Sequence, residues 1–125
     1  MSSDKKYFYK ILDSPPPEPL PEKLPETELD IKDNFIHLST AVQVPLTADI
    51  FFATHHKLWL LKIRVADLDG DIQYRPELPE CPHLHHSVRG LGKSNVEEVI
   101  VVEKPESLGE GSIWAKVPEM EALED

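Results

Sequence analysis

The sequence has one cysteine, Cys81, in 125 residues. No internal disulfide can form, so the fold must rest on its core alone, and nothing points to an oxidising compartment. Glycine is scarce as well. The five glycines allow neither a G-x-G-x-x-G nor a Walker-type loop, so a nucleotide would have to be held by side chains and strand edges. Cations are outnumbered, with 13 Lys and Arg against 23 Asp and Glu and a formal charge of −10. That balance argues against non-specific binding to nucleic acid, where affinity comes largely from cations displacing counterions, and against anionic membrane surfaces. No apolar run reaches the roughly 18 residues of a membrane span, and "MSSDKKYFYKIL" lacks the apolar region of a signal peptide. The expected location is cytoplasmic, with the nucleus left open.

The residues present have the composition of a globular protein, 40% hydrophobic and 29% charged. At this length one domain, residues 1–125, is expected, with one core. Proline is the one excess: 12 residues, six of them between Pro15 and Pro25. Each removes a hydrogen-bond donor and restricts its predecessor, so residues 14–26 read as a polyproline-like surface loop.

Several segments have clear periodicity. "YFYKIL" (7–12) predicts a first strand, and "TELDIKD" (27–33) a short helical turn capped by Thr27. "NFIHLS" reads as a buried strand, with Ser39 or Thr40 capping the next element. From Pro45 the spacing of Leu46, Ala48, Ile50, Phe51 and Phe52 predicts an amphipathic helix ending near His55 and His56. "KLWLLKIRV" alternates as a strand, and the "DG" after it marks a turn. Short strands are expected at 72–75 and 84–88. "VEEVIVVEK" reads as a central strand, "SIWAKV" alternates like a strand, and residues 118–125 read as a frayed acidic tail. Together these elements give an α+β fold class, a compact domain with a mostly antiparallel β core and few short helices.

The chemistry-bearing residues are histidines. His37 lies inside an apolar strand and is succeeded by two hydroxyls, while His83, His85 and His86 crowd beside Cys81 in "CPHLHH". An isolated strand histidine is commonly a core residue satisfied by backbone carbonyls. The hydroxyls Ser39 and Thr40, and a second histidine group on a loop-rich segment, favour a ligand cleft instead. Cys81, His83 and His85 alternate, so a strand would put them on one face. Their spacing matches no recognised ligand pattern, so no metal is expected, although a metal- or small-ligand-binding module stays open as an alternative. Cys81 precedes a proline and lacks the surroundings of a nucleophile. A third reading is a non-catalytic interaction protein that uses the proline-rich loop and the acidic tail.

"YKIL", "FIHLSTAVQVPLTADIFF", "VADLDGDIQY" and "PHLH" occur in an order that resembles the family called domain of unknown function 952, over Tyr7 to Val102. The family's glycine before the phenylalanine is Asn34 here, its W-E pair aligns with Tyr74 and Arg75, and its tyrosine after P-H-L is His85. That family is similar in fold to the ADP-ribosyltransferases, particularly the histidine-rich branch that includes RNA 2′-phosphotransferases. The resemblance implies a split β core with a cleft for NAD or an ADP-ribosyl or phosphoryl group, in an enzyme or a degenerate one. It implies cofactor contacts from His37, Ser39, Thr40, Tyr74, Arg75 and His85. Catalytic roles fall to His37, His83 and Glu77, the last being the acid nearest to the family position that Arg75 occupies. Cleaving the nicotinamide–ribose bond builds positive charge on the ribose, which is why such a site needs an acid and fixed hydrogen-bonding groups.

Overall fold

The computed structural model describes residues 6–33, 35–75, 78–104, 114, 117–121 and 123. In chain order the elements are β1 (Tyr7–Leu12), α1 (Glu28–Asp33), β2 (Ile36–His37), α2 (Gln43–Phe51), β3 (Lys57–Arg64), β4 (Asp71–Arg75), β5 (Leu78–His85), β6 (Val96–Glu103) and α3 (Pro118–Glu121). A 3-10 turn, Val65–Asp67, succeeds β3. Two antiparallel three-stranded sheets result, ordered β1-β3-β6 and β2-β5-β4. The expected α+β class and antiparallel split core therefore hold. No helix among the described residues is long and apolar enough to cross a membrane.

The first sheet is buried on both faces, and strand alternation divides its side chains between two cores. Tyr9, Ile11, Leu58, Leu60 and Val102 pack with Val44 and Ala48 of α2 and with Trp114, Val117 and Met120. Phe8, Leu61, Ile63 and Val96 point the other way, to Ile36, Leu38 and Leu84 around the second sheet and to Leu24 and Leu91. The sheets are stitched where the chain leaves β2. His37 pairs with His83 of β5, and two residues later Ser39 exchanges both main-chain hydrogen bonds with Tyr9 of β1 at 2.8 Å each.

Five expectations need correction. Helix α2 buries Val44 and Ala48, whereas Leu46, Ile50 and Phe51 are exposed. With apolar residues all round this short helix, the contact with the sheet chose the inner face, and it chose the smaller residues. No side chain caps α2: the Thr40 carbonyl accepts the amides of Gln43 and Val44, and the cap position is Val42. β6 is an edge strand, not a central one, and the glutamates within it mark that edge, with Glu97 and Glu98 exposed near the largely buried cation of Lys62. At the C-terminus Trp114 lies in a 3-10 turn instead of a strand, and within the expected frayed tail the described residues 118–121 form α3, which buries Met120 in the first core. Ile113, Ala115 and Lys116, the rest of that expected alternation, lie outside the described residues.

The proline-rich segment is a latched strap. Leu24 is buried in the second core, its amide donates to the Leu91 carbonyl, and the Lys93 amide donates to the Pro21 carbonyl. A Cβ at Gly92 would stand 2.2 Å from the Glu22 carbonyl oxygen, so only glycine admits the strap there. The buried Asn95 braces the same loop, accepting from the Gly92 amide and donating to the Gly90 carbonyl.

Asp69 ties the turn before β4 to the loop after β5. Its carboxylate accepts from the Ser87 hydroxyl and from the amides of Val88 and Arg89. Next to it Gly70 has φ +87°, and a Cβ there would meet the His85 carbonyl oxygen at 2.4 Å. The Ser87 hydroxyl, with the two amides, outweighs desolvation and holds the Asp69 carboxyl down to about 2. A carboxyl lowered by folding stabilises the native state above its unfolded value, about 4, and that contribution is lost as pH falls towards the folded value. Asp69→Asn is therefore expected to flatten the fall in the urea midpoint between about pH 4 and pH 2. Equal steepness in variant and parent would remove Asp69 from the acid transition.

Candidate functional site

β5 is the middle strand of the second sheet, and its alternation sorts its residues cleanly. Leu84 stands opposite Ile36 and Ile72 on the core side, while His83 stands opposite His37 and Gln73 on the other face and His85 opposite Asp71. Phe35 lies against all three imidazoles. Its ring centroid is 4.7 Å from His37, 4.6 Å from His83 and 4.7 Å from His85, the last nearly parallel at 26°. His37 and His83 meet edge to face at 5.4 Å. Such offset and edge contacts suit rings with negative faces and positive edges. His83 and Phe35 are buried, and His37 and His85 are partly exposed.

Behind the cluster lies a network of charges. Asp30 Oδ1 accepts from the His37 amide at 3.1 Å and faces His37 Nδ1 at 2.7 Å. Asp30 Oδ2 receives the Lys10 ammonium at 2.6 Å, and the same ammonium donates to the His37 carbonyl at 3.1 Å. Both partners of the Lys10–Asp30 pair are buried. The Thr27 hydroxyl accepts the Asp30 amide, so the cap of α1 orients this carboxylate. Burial alone would raise the Asp30 carboxyl, but the hydrogen bonds from His37 and the charge of Lys10 outweigh it and hold it below the usual carboxylate range. On the far side of the ring, His37 Nε2 is 3.0 Å from Asp33 Oδ2 at the end of α1, and the Asp33 side chain is 36% exposed against 2% for Asp30.

His37 is thus held by two carboxylates, not by backbone carbonyls. Both ring nitrogens of His37 therefore face carboxylate oxygens. Asp30 has its charge balanced by Lys10 and is closed to solvent, so it fixes the ring, as a buried carboxylate fixes a histidine in metal and catalytic sites.

The structure brings together His37, His83 and His85 from among the residues singled out in the sequence. Ser39 and Thr40 are buried, and their main-chain groups are used in the sheet junction and at the start of α2. Tyr74 stands at a register irregularity between Gln73 and Arg75, and among the described residues no ring contact joins it to the histidines. Glu77 and the side chains of Arg75 and Cys81 lie outside the described part of the chain. Among the described residues no group of three or more His, Cys, Asp or Glu side chains is arranged to hold a metal ion. His86 extends the cluster at its open end, with its ring 6.0 Å from His85, a contact to Asp71, and φ +60°. A non-glycine residue in that region carries strain.

Lys10, Asp30, Asp33 and Phe35 were not legible as site residues. The signals that could have found them were a lysine inside the apolar strand "YKIL" and a capped helical turn carrying two aspartates immediately before "FIHLS".

No curated protein matches the chain. Among solved structures, Protein CC0527 from Caulobacter crescentus is similar, with a TM-score of 0.60 and 22% identity over 86% of this chain and 92% of that one. A double mutant of the same protein matches to the same extent. At that identity the likeness speaks for the fold alone. The family described as protein of unknown function (DUF952) matches residues 21–102, a span that takes in α1, the histidine face and both sheets except β1. The chain belongs to that family.

Proposed function

We propose that the histidine face of the second sheet is a ligand site, and that its ligand carries an ADP-ribosyl or related phosphoryl group, NAD being the first candidate. The observation that carries this reading is the Lys10–Asp30–His37 arrangement. Burying an ion pair costs desolvation that apolar residues of similar volume would avoid, so it is weak evidence for a stabilising role and better evidence for holding a functional side chain. Here it holds one imidazole in one orientation at the partly exposed edge of an aromatic cluster.

The chemistry is compatible with the likeness to ADP-ribosyltransferases drawn from the sequence. His37, fixed from behind, would orient a polar group of the ligand, and the partly exposed His85 would offer a flat face to a planar ring. The acid that meets His37 Nε2 among the described residues is Asp33.

Calorimetric titration of NAD and of ADP-ribose into the parent and His37→Ala proteins tests the reading. Binding that falls at least about tenfold in the variant, a loss of about 1.4 kcal/mol, while its circular dichroism is unchanged, is the expected result. Equal affinity in the two proteins would remove His37 from the site.

A further inference from the structure

We infer that Asp33 is a resident stand-in for the ligand's anionic group, and that the site takes a phosphate at His37 Nε2 by displacing the Asp33 carboxylate. The inference rests on the ligand site proposed above and names the chemical group it receives.

Charge balance separates the two carboxylates. Lys10 and Asp30 neutralise one another at 2.6 Å in a buried position. Asp33 is the second carboxylate on the ring, at Nε2, and lies outside that matched pair. The two acids also differ in how they are held. Asp30 is fixed by the His37 amide, the His37 ring, the Lys10 ammonium and its own amide on the Thr27 hydroxyl. Asp33 is the last residue of α1, reaches solvent, and meets the ring through one contact at 3.0 Å.

An exposed ion pair of this kind is worth little, because water competes for both partners and the side chain gives up rotamer freedom to hold it. A phosphate offers three acceptor oxygens and more charge than a carboxylate, so it can take over the contact that Asp33 makes at His37 Nε2. A ligand group without an acceptor oxygen would separate His37 from Asp33 and return nothing to the ring. Phe35 links the His37 imidazole to that of His85, and the partly exposed His85 ring gives the same cluster a flat surface for the rest of a nucleotide.

The test uses the full chain with labelled histidine side chains. Inorganic phosphate is titrated into the parent, Asp33→Ala and Asp33→Asn proteins at constant ionic strength, with chloride as the control salt, and the His37 ring resonances are followed. The expected result is a phosphate-specific shift at His37 that saturates at least about tenfold lower in phosphate for Asp33→Ala than for the parent, with Asp33→Asn between them. Phosphate affinity unchanged or weakened by Asp33→Ala overturns the inference, as does a shift that chloride reproduces. NAD binding at the histidine face with no effect of Asp33 substitution would remove the displacement and keep the ligand site. Phosphate binding enhanced by Asp33→Ala, without any binding of NAD or ADP-ribose, would keep the anion site and remove the dinucleotide.

Discussion

Replacing Asp30 with alanine is expected to destabilise the protein by about 3–5 kcal/mol, the cost of removing one partner from a buried ion pair. The loss has named parts. Among the described residues the buried Lys10 ammonium would keep the His37 carbonyl as its acceptor, and the His37 amide and Nδ1 would lose the oxygen they share. Asp30→Asn should cost less, because the amide oxygen can still accept from one of those groups while the charge is lost. Lys10→Met combined with Asp30→Ala should recover part of the single-variant loss, since the stranded ammonium is gone. Urea unfolding of the three variants checks the order. A cost below about 1 kcal/mol for Asp30→Ala, the range of exposed pairs, would show that the network is solvated and does not fix His37.

Trp114→Ala is expected to cost a similar amount, about 3–5 kcal/mol. Trp114 is fully buried in the first core with Val44, Ala48, Leu58 and Leu60. Its indole N–H donates to the Phe52 carbonyl at the end of α2, and its amide donates to Asp49 within that helix. The residue therefore fills the core and also fastens α2 to the C-terminal segment. Trp114→Phe separates the two roles: it keeps most of the volume and loses the indole donor, so it should cost markedly less than alanine. Equal losses for the two variants in thermal unfolding would mean that the hydrogen bond outweighs the packing.

The parts of the fold legible in the sequence were those decided locally. β3 showed period-two alternation closed by a turn, β1 was an aromatic and aliphatic run with partial alternation, and Thr27 capped α1 as its position suggested. Where an element's face depends on its neighbours, the sequence was ambiguous. The inner side of α2 was set by its contact with the first sheet, and the large residues Ile50 and Phe51 ended outside it. The valine run of β6 was compatible with either a central or an edge position, and topology placed it at the edge.

The candidate site divides in the same way. His83 and His85 alternate within one strand, so their common face came from spacing, and the pairing of His37 with His83 completed it. Lys10 and Asp30 are twenty residues apart, on a strand and a helix that only tertiary structure brings together. A lysine in an apolar strand and an aspartate on a short helix each look like ordinary solvated residues until they are found buried against one another. Phe35 read as core, and it is core; its contact with three imidazoles needed the sheet register to become visible.

If the histidine face receives a nucleotide-type ligand, an NAD titration of the isotope-labelled protein, followed by backbone amide shifts, should reveal it without any substitution. Saturating shifts are expected at Phe35, His37, His83 and His85 and at Asp33 beside them, with Trp59 and Val101, on the first sheet, unmoved. No shifts at millimolar NAD, or shifts confined to the first sheet or to the strap at 14–26, would contradict the proposed site.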